Sequence, residues 1–287
     1  MRRLSRWSIK KMGDPTWAYH SGIMSFPIQI AVKYDVPLML WGEEGFSELV
    51  GLLSLDYMQE WTKWKRTEHS MRGWDVDRVL ADETAREEGI TKGDLAAFQY
   101  PTEDEIEKVN LRGLYLSNFF EWDALKQAKE VHDEWGFRFH PGPRELTMNL
   151  YAKTDDHANA FHILPRFLQY GYGRATDDVS TEIRHGRMTR EEGIELVRHY
   201  DRREPTQVNA YLNRLGMSMG EFLSYIDPMR DPAIWKKKNG EWVLSDGVEN
   251  HKENPDRLPV DKTDFHYPYY WMGEAFGNEY SEEFLSL

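Results

Sequence analysis

The sequence predicts an α/β body with parallel strands followed by a cluster of helices, and three observations carry that prediction. A helix-patterned stretch feeds a short apolar run at Pro37-Leu38-Met39-Leu40-Trp41. A second apolar run, Leu114-Tyr115-Leu116-Ser117-Asn118-Phe119-Phe120, passes through acidic residues into another helical pattern. Beyond Pro141-Gly142-Pro143 only helical patterns recur.

Taken in order, the basic start Met1-Arg2-Arg3-Leu4-Ser5-Arg6 leads into Trp7-Ser8-Ile9-Lys10-Lys11 and reads as an amphipathic surface helix, since no apolar core of a secretory signal follows it. Ile23, Phe26, Ile28, Ile30, Ala31 and Tyr34 recur at helical spacing ahead of the first strand, which ends in Gly42-Glu43-Glu44-Gly45. The charged, Trp-rich stretch from about Leu52 to Ile90 is expected to be helical. Thr102-Glu103-Asp104-Glu105 is a capping box, in which hydroxyl and carboxylate satisfy each other's unpaired amides. After the second strand, Ala124, Leu125, Ala128 and Val131 mark a helix to about Trp135. Helices are then expected at 157–170, 176–185, 189–200, 206–215 and 218–226, with further boxes at Thr189/Glu192 and Ser218/Glu221. This reading divides the chain at residues 1–140 (α/β), 141–244 (helical) and 245–287, a tail of prolines, charges and aromatics to which no structure is assigned.

Composition narrows the function. Apolar residues make up 40% of the 287 and aromatics 14%, which is a folded, not a disordered, composition. Asp plus Glu number 49 against 36 Lys plus Arg, so the average field repels a polyphosphate and disfavours nucleic acid as a partner; a helix-turn-helix reading of 189–226 fails for want of a basic recognition helix. The absence of cysteine excludes disulfides, thiolate zinc sites and a Cys nucleophile, and fits a reduced, cytoplasmic setting. No run approaches the roughly 18 apolar residues a membrane helix needs, so membrane insertion is not expected. His157 and His162, and His132 and His140, lack the spacing of a zinc motif, and no metal site is assigned.

Three stretches carry a resemblance: Phe26-Pro27-Ile28-Gln29-Ile30-Ala31-Val32-Lys33-Tyr34 through Pro37-Leu38-Met39-Leu40-Trp41-Gly42-Glu43, Leu116-Ser117-Asn118-Phe119-Phe120-Glu121-Trp122-Asp123, and Tyr170-Gly171-Tyr172-Gly173-Arg174-Ala175-Thr176-Asp177. Support continues through 183–194 and Asp231-Pro232-Ala233-Ile234-Trp235. Their order and spacing resemble the N-acetyl sugar amidotransferase family over about residues 1–244. The resemblance implies a PP-loop, Rossmann-like parallel sheet, here missing its first strands, with a C-terminal helical subdomain. It implies a reaction in which ATP, with Mg, adenylates the carboxylate of an N-acetylated uronic-acid sugar nucleotide and ammonia from a separate glutaminase subunit displaces AMP. The setting is bacterial surface polysaccharide, the lipopolysaccharide O-antigen. The family's Ser-Gly-Gly-x-Asp-Ser phosphate loop does not occur in this sequence. Two expectations follow: the loop lies on a separate polypeptide or was removed by truncation, or the chain is an inactive scaffold that binds sugar nucleotide or glutaminase.

Candidate site residues sit where strands end, the edge at which open α/β sheets collect ligands. Gly42 and Glu43 are expected at the nucleotide, and Glu43 and Glu121 as catalytic carboxylates. Asn118, Trp122 and Asp123 are expected at the substrate, with helix capping the alternative for Asp123. Gly171, Gly173, Arg174, Thr176 and Asp177 form the last group. Small residues there let backbone approach a ligand, and Arg174 offers a planar fork to phosphate or carboxylate; the alternative is a helix cap with an Arg ion pair. Gly42, Glu43, Asn118, Glu121 and the Gly171–Asp177 stretch are expected to converge on one cleft.

Overall fold

The structure, a computed structural model, describes residues 1–42, 60–120, 122–152, 159–203 and 205–250. Its elements are α1 (Arg2–Met12), α2 (Trp17–Lys33), β1 (Leu38–Trp41), α3 (Val76–Ala81), α4 (Glu83–Glu87), α5 (Glu103–Val109), β2 (Arg112–Tyr115), α6 (Ala124–Trp135), α7 (Asn159–Tyr170), α8 (Arg174–Arg184), α9 (Arg190–Tyr200), α10 (Val208–Leu215), α11 (Met219–Ile226), β3 (Trp235–Lys238) and β4 (Glu241–Leu244). They form two compact units. One is Trp17–Trp122; the other joins Met1–Thr16 to the described residues from Asp123 onward. The architecture is mixed α/β and mostly helical, and among the described residues no helix is long and apolar enough to cross a membrane.

In the Trp17–Trp122 unit, β1 and β2 pair in parallel with Leu38 opposite Arg112 and Trp41 opposite Tyr115. Successive strand residues face opposite ways, so Met39 and Trp41 share a face, and α2 covers it. Ile28 and Ala31 join Trp41, Trp61, Ile106, Leu111 and Tyr115 in one apolar cluster, with Met39 packed against it. Polar anchors fix α2 from the same side: Trp17 Nε1 donates to the Met71 carbonyl at 2.9 Å, Ser21 Oγ to Ser70 at 2.8 Å and Ser25 Oγ to Ala97 at 2.8 Å. The ladder stops at two strands, and the PP-loop-like sheet expected from the resemblance is not evident among the described residues. The expected strand Leu114–Phe120 is also displaced. Asn110 ends α5 in the left-handed region (φ 54°), Arg112 already donates to the Pro37 carbonyl, and Leu116–Asn118 coil into a 3-10 turn instead of extending. Of the expected helix from about Leu52 to Ile90, residues 52–59 lie outside the described residues. The remainder is a π-helix, Lys65–Ser70, followed by the short α3 and α4.

The other unit is built on helices. Ile9 of α1 enters a cluster with Phe161, Leu164, Val208, Leu212, Leu215, Phe222 and Ile226, so the expected surface helix is amphipathic with a fully committed inner face. Its basic residues do structural work: Arg2 and Arg6 donate to the Leu215 carbonyl at 3.2 Å, and Arg6 also to Gly216 at 3.1 Å. They satisfy the open carbonyls at the C-terminus of α10 and complement its dipole. The Thr102/Glu105 and Thr189/Glu192 boxes form as the spacing predicts. At Ser218 only half the box forms, because the Glu221 carboxylate turns to Arg6. The β3–β4 hairpin is an element that the sequence reading above does not include. Its turn, Asn239-Gly240, has φ of 52° and 86°, the left-handed pair that matches hairpin twist.

Helices α8 and α9 cross at Gly193, where an added Cβ would stand 2.3 Å from Val179 Cγ1 and 3.1 Å from Ile183 Cδ1. Alanine gains about 1 kcal/mol of helix propensity over glycine, while overpacking costs about 1–3 kcal/mol. Gly193→Ala is therefore expected to lower unfolding stability, and Gly193→Val to lower it further, as read from urea midpoints. A raised midpoint for the alanine variant would show that the crossing has slack.

Candidate functional site

Helix α8 begins where the chain turns after α7, and its N-terminus is held by a carboxylate that sequence reasoning passed over. Asp201, at the end of α9, is buried. Its Oδ2 accepts from the Gly173 amide at 2.8 Å and from Thr176 Oγ1 at 2.6 Å, and its Oδ1 accepts from the Ala175 amide at 2.9 Å. An acidic side chain at this end of a helix also answers the dipole. Gly173 is small because Asp201 is close: an added Cβ would meet Asp201 Oδ1 at 2.6 Å. Gly171 adopts φ 74°, and its Cβ would meet Ile234 and Leu244 at 2.6 and 2.8 Å, so the β-hairpin fixes that position. Burial pushes the Asp201 carboxyl up, and the bonds from Thr176, Gly173 and Ala175 oppose the rise.

A row of alternating charges lies along the next turn of α8. Arg174 Nε reaches Asp178 Oδ1 at 2.8 Å within the helix, and Thr147 Oγ1 donates to the other oxygen of Asp178. Burial raises the Asp178 carboxyl despite Arg174 and Thr147. Arg144 belongs to the same field: burial lowers its guanidinium, and Asp178 counters that. Arg166 of α7 stands 2.6 Å from Asp177 Oδ2 through Nη2, with its guanidinium 5.0 Å from the Tyr172 ring. That pair is close but poorly aligned. Arg166 Nε and Nη2 and Asp177 Oδ1 are buried without an aligned hydrogen-bond partner among the described residues, although Nη2 lies within ion-pair distance. Buried polar atoms left open in this way are where a ligand gains most.

Asp123 combines two roles. It caps α6, accepting from the Lys126 amide, and it accepts from Arg187 Nη1 at 2.8 Å, while the same guanidinium forks onto Glu182. Desolvation raises its carboxyl, but the Lys126 amide, Arg187 and His185 together outweigh it and hold the group below the ordinary value. His162 meets Thr16 Oγ1 at 2.8 Å, and that hydroxyl donates to Asp14 at 2.7 Å.

The remaining candidates belong to the Trp17–Trp122 unit. Gly42 is exposed just past β1, and an added Cβ there would meet no described residue within 4 Å. Asn118 closes the 3-10 turn after β2, its side chain outside the description. The indole nitrogen of Trp122 is buried without a partner among the described residues. Glu43 and Glu121 lie outside the described residues, so the structure leaves their expected roles where the sequence put them. No group of three or more metal-ligating side chains occurs among the described residues. What sequence reasoning missed in this unit is a buried charge cluster: Lys65 and Arg66, both 1% exposed, at the start of the π-helix. Lys65 Nζ donates to the Glu60 carbonyl at 2.8 Å and lies 5.7 Å from the Tyr115 ring. Glu60 pairs with Arg112, and Arg66 places one nitrogen 2.7 and 2.6 Å from the two oxygens of Glu103. Consecutive Lys-Arg ordinarily signals a solvated face, so no sequence pattern pointed to it.

Burial pulls the Lys65 ammonium down to about 7 from 10.5, with Glu60 opposing. Between these values the unfolded chain binds more protons than the folded one, so this group's contribution to stability rises with pH from about 7 to 10.5. At lower pH its charging penalty is fully felt. Lys65→Met is expected to remove that slope and to gain most, relative to the parent, below pH 7, as urea unfolding across pH would record. An unchanged slope would mean that Lys65 is solvated.

Residues 145–248 match the family model described as LPS biosynthesis protein WbpG-like, C-terminal domain. The match takes in Arg166, Tyr172, the 171–178 stretch, Asp201 and the β-hairpin, and it covers less than half of the chain. No curated protein matches the sequence.

Proposed function

We propose that the chain acts in lipopolysaccharide O-antigen biosynthesis as part of an ATP-dependent amidotransferase, converting the carboxylate of an N-acetylated uronic-acid sugar nucleotide into an amide. The observation that carries this reading is the match of residues 145–248 to the WbpG-like domain, the segment that also contains the 170–177 and 183–194 stretches of the amidotransferase resemblance. The N-terminus of α8 does not fit the phosphates of ATP. The amides at the α8 N-terminus, where an anion would otherwise sit, are bonded to Asp201, and a phosphate there would meet a second buried negative charge. In this reading the phosphate loop lies outside residues 1–287 and ammonia comes from a glutaminase subunit.

The part assigned to this chain is holding the sugar. The Arg166 guanidinium, 5.0 Å from the Tyr172 ring and with Nε lacking a hydrogen-bond partner among the described residues, offers a cation beside an aromatic surface for a pyranose face, and a sugar carboxylate would compete with Asp177 for it. A second reading, a sugar-nucleotide-binding scaffold without turnover, is favoured by the same Asp201 plug.

Calorimetric titration with an N-acetylated uronic-acid sugar nucleotide, alongside AMP release in ATP, Mg and ammonium, tests both. Binding is expected, weakened about tenfold, or about 1.4 kcal/mol, by Arg166→Ala and by replacing the sugar carboxylate with a hydroxymethyl group. Binding with AMP release by the chain alone would place the nucleotide site within it. Binding without release supports the partnered or scaffold reading, and no binding at all contradicts both.

A further inference from the structure

The outer face of α2 carries an apolar stripe that is left exposed among the described residues. Tyr19, Ile23, Phe26, Ile30 and Tyr34 are 49%, 54%, 49%, 38% and 65% exposed, and Tyr34 continues the helix by donating its amide to Ile30. Their spacing of four, three, four and four residues places them on one side of the cylinder, opposite the buried Trp17, Ala18, Ser21, Ser25, Ile28 and Ala31. A helix apolar on both sides is ordinarily covered on both sides. Lone exposed apolar residues need no explanation, but five in register form a patch.

The order of the stripe identifies what covers it. Read in either direction it is Tyr, Ile, Phe, Ile, Tyr. A two-fold axis beside Phe26 that packs α2 against an antiparallel copy of itself brings Phe26 against Phe26, Ile23 against Ile30 and Tyr19 against Tyr34. Every residue then meets a chemically matched partner, the condition that an isologous interface imposes. The charges fit as well. Only Lys33 and, when protonated, His20 bring charge to α2, and both lie towards the ends of the seam. At about 200 Å² per large side chain, five half-exposed residues present on the order of 500 Å², so two copies bury roughly the 1,000 Å² that a specific interface requires.

We propose that the chain forms a two-fold dimer through antiparallel packing of α2 on α2 across this stripe. The surface lies wholly within the Trp17–Trp122 unit and is independent of the reaction proposed above. Sedimentation of the full chain over a wide concentration range tests it. The parent is expected to reach twice the chain mass, and Phe26→Asp, which buries a charge on the axis, to raise the dissociation constant roughly 30-fold or more. Because Phe26 is half exposed, the variant is expected to keep the parent's circular dichroism. The absence of cysteine allows a geometric check. Under oxidation Phe26→Cys should cross-link with itself, whereas Tyr19→Cys should cross-link efficiently only when mixed with Tyr34→Cys. A monomeric parent, a dimer indifferent to Phe26→Asp, or Tyr19→Cys linking with itself as readily as with Tyr34→Cys would each overturn the proposal, the last two by pointing to another surface.

Discussion

The carboxylate of Asp201 is the constraint on which the helical unit turns. Two backbone amides and one hydroxyl converge on it, and they tie the start of α8 to the end of α9. Four features follow from that junction. Gly173 must lack a side chain, α8 starts without a cap of its own, α9 ends at the same point, and the α8 residues Arg174, Asp177 and Asp178 face α7 and the 144–152 loop. Desolvating an acid at this position is costly, and three donors offset the cost. Removing the acid would leave both the amides and the hydroxyl buried without a partner.

The same junction changes how the Gly171–Asp177 stretch is read. In the sequence, small residues followed by arginine suggest a backbone cradle for an anion. In the structure the cradle exists and the protein supplies the anion. Buried polar atoms without an aligned partner remain nearby among the described residues, at Arg166 of α7 and Oδ1 of Asp177, beside the Tyr172 ring. Arg174 serves Asp178 within its own helix, which is the ion-pair alternative that the sequence left open.

Legibility followed the range of the interactions. Short-range signals read well: helices near 159–170, 190–200, 208–215 and 219–226, two complete capping boxes, and the pairing of two short apolar runs as parallel strands. Asn239-Gly240 is an equally local signal, the residue pair that a two-residue hairpin turn favours. Long-range partners were invisible. Nothing near Asp201 in sequence indicates that it closes on Gly173, 28 residues away, and nothing in Lys65-Arg66 indicates burial among Glu60, Glu103 and Tyr115. Ser218/Glu221 shows the competition directly, because a box written in the local sequence gives half its bonding to Arg6, 215 residues distant. The larger parallel sheet came from resemblance, not from residue patterns, and only its two-stranded ladder appears among the described residues.

Amide hydrogen exchange at Gly173 and Ala175, compared between the parent and Asp201→Ala, tests the account most directly. If Asp201 holds this junction, both amides lose protection together and the unit loses about 2–4 kcal/mol of stability, the cost of stranding several donors of a charge-assisted cap. Protection retained to within about twofold at both positions, with unfolding unchanged, would contradict it.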